Sequence, residues 1–199
     1  MYGGNLTSHS LLTLNNTDDV VSSTTLQIYQ NFSSKSSTGQ TASPANSGYF
    51  PDTYLSKMIR MYSSSDNVVP GAVRLGGLDV DKKYQVILIG SHTLVDANTD
   101  KTTTIYTVSG NSQELQTSAN TSNVITFNDI SPDENGNIDV YVAKKYAHWG
   151  YGVLNALKLV EQRQFSINYQ AGTHGSVLGD TSQLINSGSN GSQVTAVAN

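Results

Sequence analysis

Apolar residues in this chain fall in short runs of a strand's length, bounded by turn formers, rather than at helical spacing. Residues Leu26 to Tyr29, Ala72 to Leu75, Tyr84 to Gly90, Thr103 to Ser109, Val124 to Phe127, Ile138 to Val142 and Val153 to Val160 read as strands. In Tyr84-Gln-Val-Ile-Leu-Ile-Gly90 both faces are apolar apart from Gln85, as in a central strand covered on two sides. Ile138, Val140 and Val142 instead alternate with Asp139 and Tyr141, as in a strand with one buried face. The two patterns together predict an all-β fold, a sandwich of two packed antiparallel sheets. Asp79-Val-Asp-Lys-Lys83 and Pro132-Asp-Glu-Asn-Gly-Asn137 carry the residues that close hairpins, so their acidic groups are turn formers first.

Two segments resist this reading. Asn31 to Gly48 is Ser/Thr-rich, has almost nothing to bury and is longer than a simple connection; it is either a mobile loop or one that overhangs a site. In Phe50 to Tyr62, Asp52 or Thr53 is placed to cap a short helix, yet Tyr54 to Tyr62 suits a strand equally well. Near Gln164 the style changes, and a Gly/Ser/Asn-rich tail begins. The chain is therefore divided at 1–162, a β-sandwich module, and 163–199, a short β-repeat fragment.

Composition narrows the setting. Of 199 residues, 37% are hydrophobic and only 13% charged, so solubility rests on neutral Ser, Thr, Asn and Gly, the usual balance of a β-rich secreted protein. A net charge of −4 with scattered Lys and Arg offers no field for phosphates, which argues against nucleic acid as a partner. No apolar run is long enough to span a membrane, and no export signal follows Met1, so the chain is read as a trimmed part of a longer protein. The absence of cysteine removes disulfides and thiolate-bound metals. A secreted or bacterial cell-surface location fits best.

Several segments resemble, in their order along the chain, elements of secreted bacterial β-sandwich modules from carbohydrate-active and adhesive proteins. They are Gly76 to Ser91, Thr104-Ile-Tyr-Thr-Val-Ser-Gly110, the Asn120 to Asn123 turn, Ile130 to Ile138 and Gly150-Tyr-Gly-Val-Leu-Asn-Ala156, with Leu14-Asn-Asn16 standing where those modules have Trp-Asn-Asn. The resemblance covers roughly residues 5 to 161 and implies a galactose-binding-like jelly roll. Those modules often have Gly-Ser-Arg where this chain has Gly90-Ser-His92, which implies a different ligand if that Arg bonds a sugar or carboxylate. The tail, with Gly175-Ser-Val-Leu-Gly179 and Asn186-Ser-Gly-Ser-Asn-Gly191, resembles the first half of an internalin-type B-repeat. A half-repeat cannot complete its own core, so it is expected to lean on the first domain or to pair with another chain.

The strongest candidate for a binding surface is Tyr146-Ala-His-Trp-Gly-Tyr151, which holds the only tryptophan. Trp149 and Tyr151 would stack on pyranose faces, with Tyr146 beside them and His148 supplying hydrogen bonds. The alternative is that Trp149 and Tyr151 plug one end of the sandwich. His92, Arg60 and Asn16 complete the candidate set. Arg60 and Arg74 flank the 62–72 loop and suit acidic sugars, or are solvated strand charges. Asp96, Asn98 and Asp100 place oxygens at alternate positions as a calcium (Ca2+) loop does, without the later glycine and glutamate, so a polar hairpin tip is the plainer reading.

No catalytic arrangement emerges. The four histidines, His9, His92, His148 and His174, lie in separate loops, and no nucleophile elbow is present. The carboxylates sit mainly in turns rather than facing each other across a cleft. The expectation is a noncatalytic module that binds a polysaccharide or glycan weakly, between millimolar and micromolar, or about −4 to −8 kcal/mol. The competing readings are a structural spacer or protein-binding adhesin domain, and an accessory domain of a polysaccharide-degrading enzyme.

Overall fold

The computed structural model describes residues 11–15, 21–37, 50, 57–63, 69–146, 148–186 and 190–198, and strands dominate them. The chain divides into two units, Met1–Val160 and Glu161–Asn199.

Among the described residues twelve strands begin in the first unit: β1 (Leu11–Asn15), β2 (Val21–Gln30), β3 (Ser34–Ser36), β4 (Met58–Ser63), β5 (Gly71–Gly76), β6 (Lys83–Ile89), β7 (Thr103–Val108), β8 (Asn111–Gln116), β9 (Ile125–Ile130), β10 (Ile138–Lys144), β11 (Gly150–Leu154) and β12 (Ala156–Gln162). A six-stranded sheet runs β1-β2-β5-β10-β7-β8, and two three-stranded sheets, β12-β6-β9 and β11-β4-β3, share its core. Strand β10 pairs antiparallel with β5 and β7, β6 with β9, and β4 with β11. The fold is an all-β antiparallel sandwich, as the alternation of apolar residues predicts.

The core follows from that alternation. Val140 and Val142 of β10 are fully buried against Leu75, Tyr106 and Val108, while Asp139 and Tyr141 on the other face are half-buried. Strand β6 is covered on both sides: Val86 and Leu88 enter the main core, and Ile87 and Ile89 enter a second cluster with Phe50, Val124, Ala156 and Val160. Each such aliphatic side chain contributes about 1.5–3 kcal/mol through burial. Tyr106 spans the interior and donates its hydroxyl to the Val153 carbonyl at 2.5 Å, tying β7 to β11. Burial pushes its phenol well above the usual range, so it stays a neutral donor.

One segment left open is decided and two differ from the expectation. Residues 58–63 form a strand, because Ile59 and Met61 alternate into the core; the helix cap proposed at 52–53 lies outside the described residues. Strand β8 was not anticipated, since Asn111 to Glu114 are exposed and only Leu115 is buried. The single strand expected over Val153 to Val160 is interrupted at Asn155, whose side chain accepts from the Ser91 amide at 2.7 Å and whose amide donates to the Ile89 carbonyl at 3.0 Å.

The second unit is built of two ribbons. Strand β13 (Gln164–Asn168) pairs with β15 (Ser182–Asn186), and β14 (Gly175–Leu178) pairs with β16 (Thr195–Ala198). Gln183 is its buried pivot, donating to the Asp180 and Ser192 carbonyls and accepting from the Ser192 amide. Phe165, Leu178 and Leu184 are more than half exposed.

Candidate functional site

Strands β4 and β11 build the site because of their register. Tyr62 lies opposite Tyr151, and Arg60 opposite Val153. With Ile59 and Met61 directed into the core, the period of two sends Arg60 and Tyr62 to the other face together. The rings of Tyr62 and Tyr151 stack at 4.9 Å and 20°. Trp149 extends the row, its ring 5.9 Å from Tyr62 and tilted by 52°. His148 meets Trp149 edge-on at 5.6 Å. The Arg60 guanidinium lies 5.9 Å from the Tyr62 ring centre and 5.8 Å from that of Tyr151.

The backbone holds Trp149 out. It adopts φ = 61°, a conformation uncommon for a bulky residue, and is 50% exposed. The next residue must be glycine, since a Cβ on Gly150 would come within 2.3 Å of the Tyr146 carbonyl oxygen. Gly152 likewise lets β11 lie against Ala143, where a Cβ would meet backbone at 2.5 Å. Upstream, Lys145 anchors the loop through Glu114 at 2.7 Å and Asp100 at 3.1 Å. Tyr146, half-buried, enters the site's construction through its backbone.

His92 closes the other end of the row, 5.0 Å from the Tyr151 ring. Its backbone is fixed between the Thr117 carbonyl (2.8 Å) and the Ala119 amide (2.7 Å). Its Nδ1 accepts from the Leu94 amide at 2.7 Å, so the ring proton sits on Nε2. Nε2 is buried and has no hydrogen-bond partner among the described residues. Burial, reinforced by the charge of Arg60, holds the imidazole below its ordinary pKa and therefore neutral.

Arg60 is oriented from β3, where Ser34 Oγ accepts from its Nε at 2.7 Å. The neighbouring Ser33 Oγ accepts from the Tyr62 amide at 3.1 Å. The start of the Ser/Thr-rich loop thus forms part of the wall; residues 38–49 lie outside the described residues, as do His9 and Asn16. Of the sequence candidates, Trp149, Tyr151, His148, His92 and Arg60 come together in one cluster. Tyr62, its central ring, was missed. Of the two readings open for this segment, the strand is the one that sets it two residues from Arg60 on the same face.

Arg74 belongs elsewhere. It pairs with Asp139 through two hydrogen bonds of 2.6 and 2.7 Å, and its guanidinium covers the Tyr29 ring at 3.7 Å. Asp96 and Asn98 lead into the single-turn 3-10 helix Thr99–Thr102, with Asn98 as its cap and Asp100 in its first turn. Asp96 accepts from the Asn98 amide (2.9 Å) and the Lys101 ammonium (3.2 Å), Asn98 Oδ1 accepts from the Asp100 amide (3.1 Å), and Asp100 pairs with Lys145. An ammonium at each carboxylate does not fit a divalent cation. The donor set suits a polar turn rather than calcium. Among the described residues no cluster of three or more acidic or histidine side chains is arranged for a metal. Asp133 is likewise a turn former, accepting from the Asn135 and Asn137 amides at 2.9 and 2.8 Å.

No family model and no curated protein matches the chain. Among solved structures it is similar to an arabinose-bound α-L-arabinofuranosidase, at 12% identity and a TM-score of 0.35, over 78% of this chain and 25% of that one. A likeness this loose carries no argument, and the matched region is about a quarter of the enzyme's length. No helix among the described residues is long and apolar enough to cross a membrane.

Proposed function

We propose that the first unit is a noncatalytic carbohydrate-binding module of a secreted or cell-surface bacterial protein. The observation that carries this reading is the half-exposed Trp149, held out at φ = 61° at the end of a row with Tyr62 and Tyr151. Aromatic faces bind the apolar faces of sugar rings, and Tyr hydroxyls, His148 and Arg60 supply the polar contacts that fix orientation. A spacer has no use for an exposed tryptophan in a strained backbone, and a plug at the end of the sandwich would bury it.

A glycan-array screen of the intact chain beside Trp149→Ala tests this. Retention lost in a mutant that melts like the parent supports a carbohydrate site at the row. Silence across the array, or retention unchanged by the substitution, removes it and favours the spacer or adhesin reading.

A further inference from the structure

Resting on the carbohydrate reading above, we propose that the ligand is an acidic glycan, whose carboxylate binds between the Arg60 guanidinium and the Nε2–H of His92 while a sugar ring lies on the aromatic row. Two groups at this site have donors to spare, a half-buried guanidinium and a buried imidazole N–H. The first is a guanidinium. Arg60 spends its Nε on Ser34, and no described carboxylate pairs with it, although the row's two tyrosine rings hold it in place. A planar fork of N–H donors fixed in position is suited to two parallel bonds from a carboxylate.

The second is a buried donor. His92 is only 6% exposed, and with Nδ1 accepting from Leu94 its Nε2 must donate, yet no acceptor is present among the described residues. Buried polar groups are nearly always satisfied, and in this proposal the ligand's carboxylate is the acceptor that the orphan Nε2–H awaits. Both groups lie within 6 Å of the same Tyr151 ring, at 5.8 and 5.0 Å. A neutral sugar hydroxyl would satisfy His92 alone. A carboxylate oxygen pair satisfies His92 and neutralises Arg60 together, and that fit selects a uronate-type ligand over a neutral one.

The test uses calorimetric titration of the intact chain with a short oligogalacturonide, its methyl ester and the matching neutral galacto-oligosaccharide. The acid is expected to bind about ten- to hundred-fold more tightly than the ester, the worth of one or two charge-assisted hydrogen bonds. Arg60→Gln should erase that preference, Arg60→Lys should keep part of it, and His92→Phe should weaken the acid more than the neutral sugar. Rising salt should weaken the acid alone. Equal affinity for acid and ester, or a preference that survives Arg60→Gln in a folded variant, overturns the acidic ligand while leaving the carbohydrate reading intact. If Arg60→Gln does not fold, salt-independent binding of the acid overturns it instead. Failure of a folded chain to bind any of the three, together with silence on the array, removes the carbohydrate reading and this proposal with it.

Discussion

Among the described residues two arginines sit against tyrosine rings, and only one of them pairs with a carboxylate. Arg74 covers Tyr29 and grips Asp139 with both ends of its fork; Arg60 reaches Tyr62 and Tyr151 and grips a serine. Register decides the difference. Asp139 lies directly across from Arg74 in β10, whereas the residues across from Arg60 are Val153 and Ser34, both neutral. A cross-strand ion pair is completed by the fold itself. A charge whose strand neighbours are neutral, held in place by a hydrogen bond and two rings, is positioned for something that comes from outside.

The contrast should break most visibly at the aromatic row. Trp149→Ala is expected to lose glycan retention by at least about ten-fold, with a melting temperature within a few degrees of the parent, because a half-exposed side chain supports little of the core. Array retention and thermal melts read the two effects separately. Asp139→Asn should do the reverse: it leaves a mostly buried guanidinium without its anion, costs about 1–2 kcal/mol in urea denaturation, and leaves ligand binding unchanged. If Asp139→Asn weakened binding as much as Trp149→Ala did, the two regions would not be independent.

A smaller effect concerns pH. His92 is held neutral when folded, below the ordinary imidazole value of 6.5, while the unfolded chain takes up a proton near that value. Between the two the unfolded state binds more protons, so this contribution is fully present above about pH 6.5 and is lost as pH falls toward the folded value. Denaturation midpoints at pH 7.5 and 5.5 should therefore fall less in His92→Phe than in the parent. The smallest effect is expected at the 96–100 turn. Exchanging calcium for a chelator should leave the melting temperature unchanged, and a stabilisation by calcium would contradict the ammonium-paired geometry described there.

Sandwich architecture was legible because the pattern of Tyr84 to Gly90, apolar on both faces, and the alternation of Ile138, Val140 and Val142 encode burial directly. Turn chemistry was legible for the same local reason, as Asp133 bonds amides within four residues of itself. What escaped depends on partners distant in sequence. Strand β8 is a polar edge strand recognisable only from its pairing with β7. Tyr62 became part of the site through Tyr151, and the two arginines, alike in sequence, parted only when Asp139 and Val153 were placed opposite them. The orphan donor on His92 required knowing that Leu94 occupies its other nitrogen.

Trp149 is the only tryptophan in the sequence, and it stands at the row rather than in the core. Its emission is therefore a native reporter of this one place, needing no label: water beside the indole sets its wavelength, and a sugar face laid across it displaces that water. Tyr62, in ring contact with both Trp149 and Tyr151, links the indole to the Arg60 end of the cluster. Occupancy anywhere along the row should thus register in the colour of a single residue, while unfolding of the core, which holds no indole, registers separately in circular dichroism.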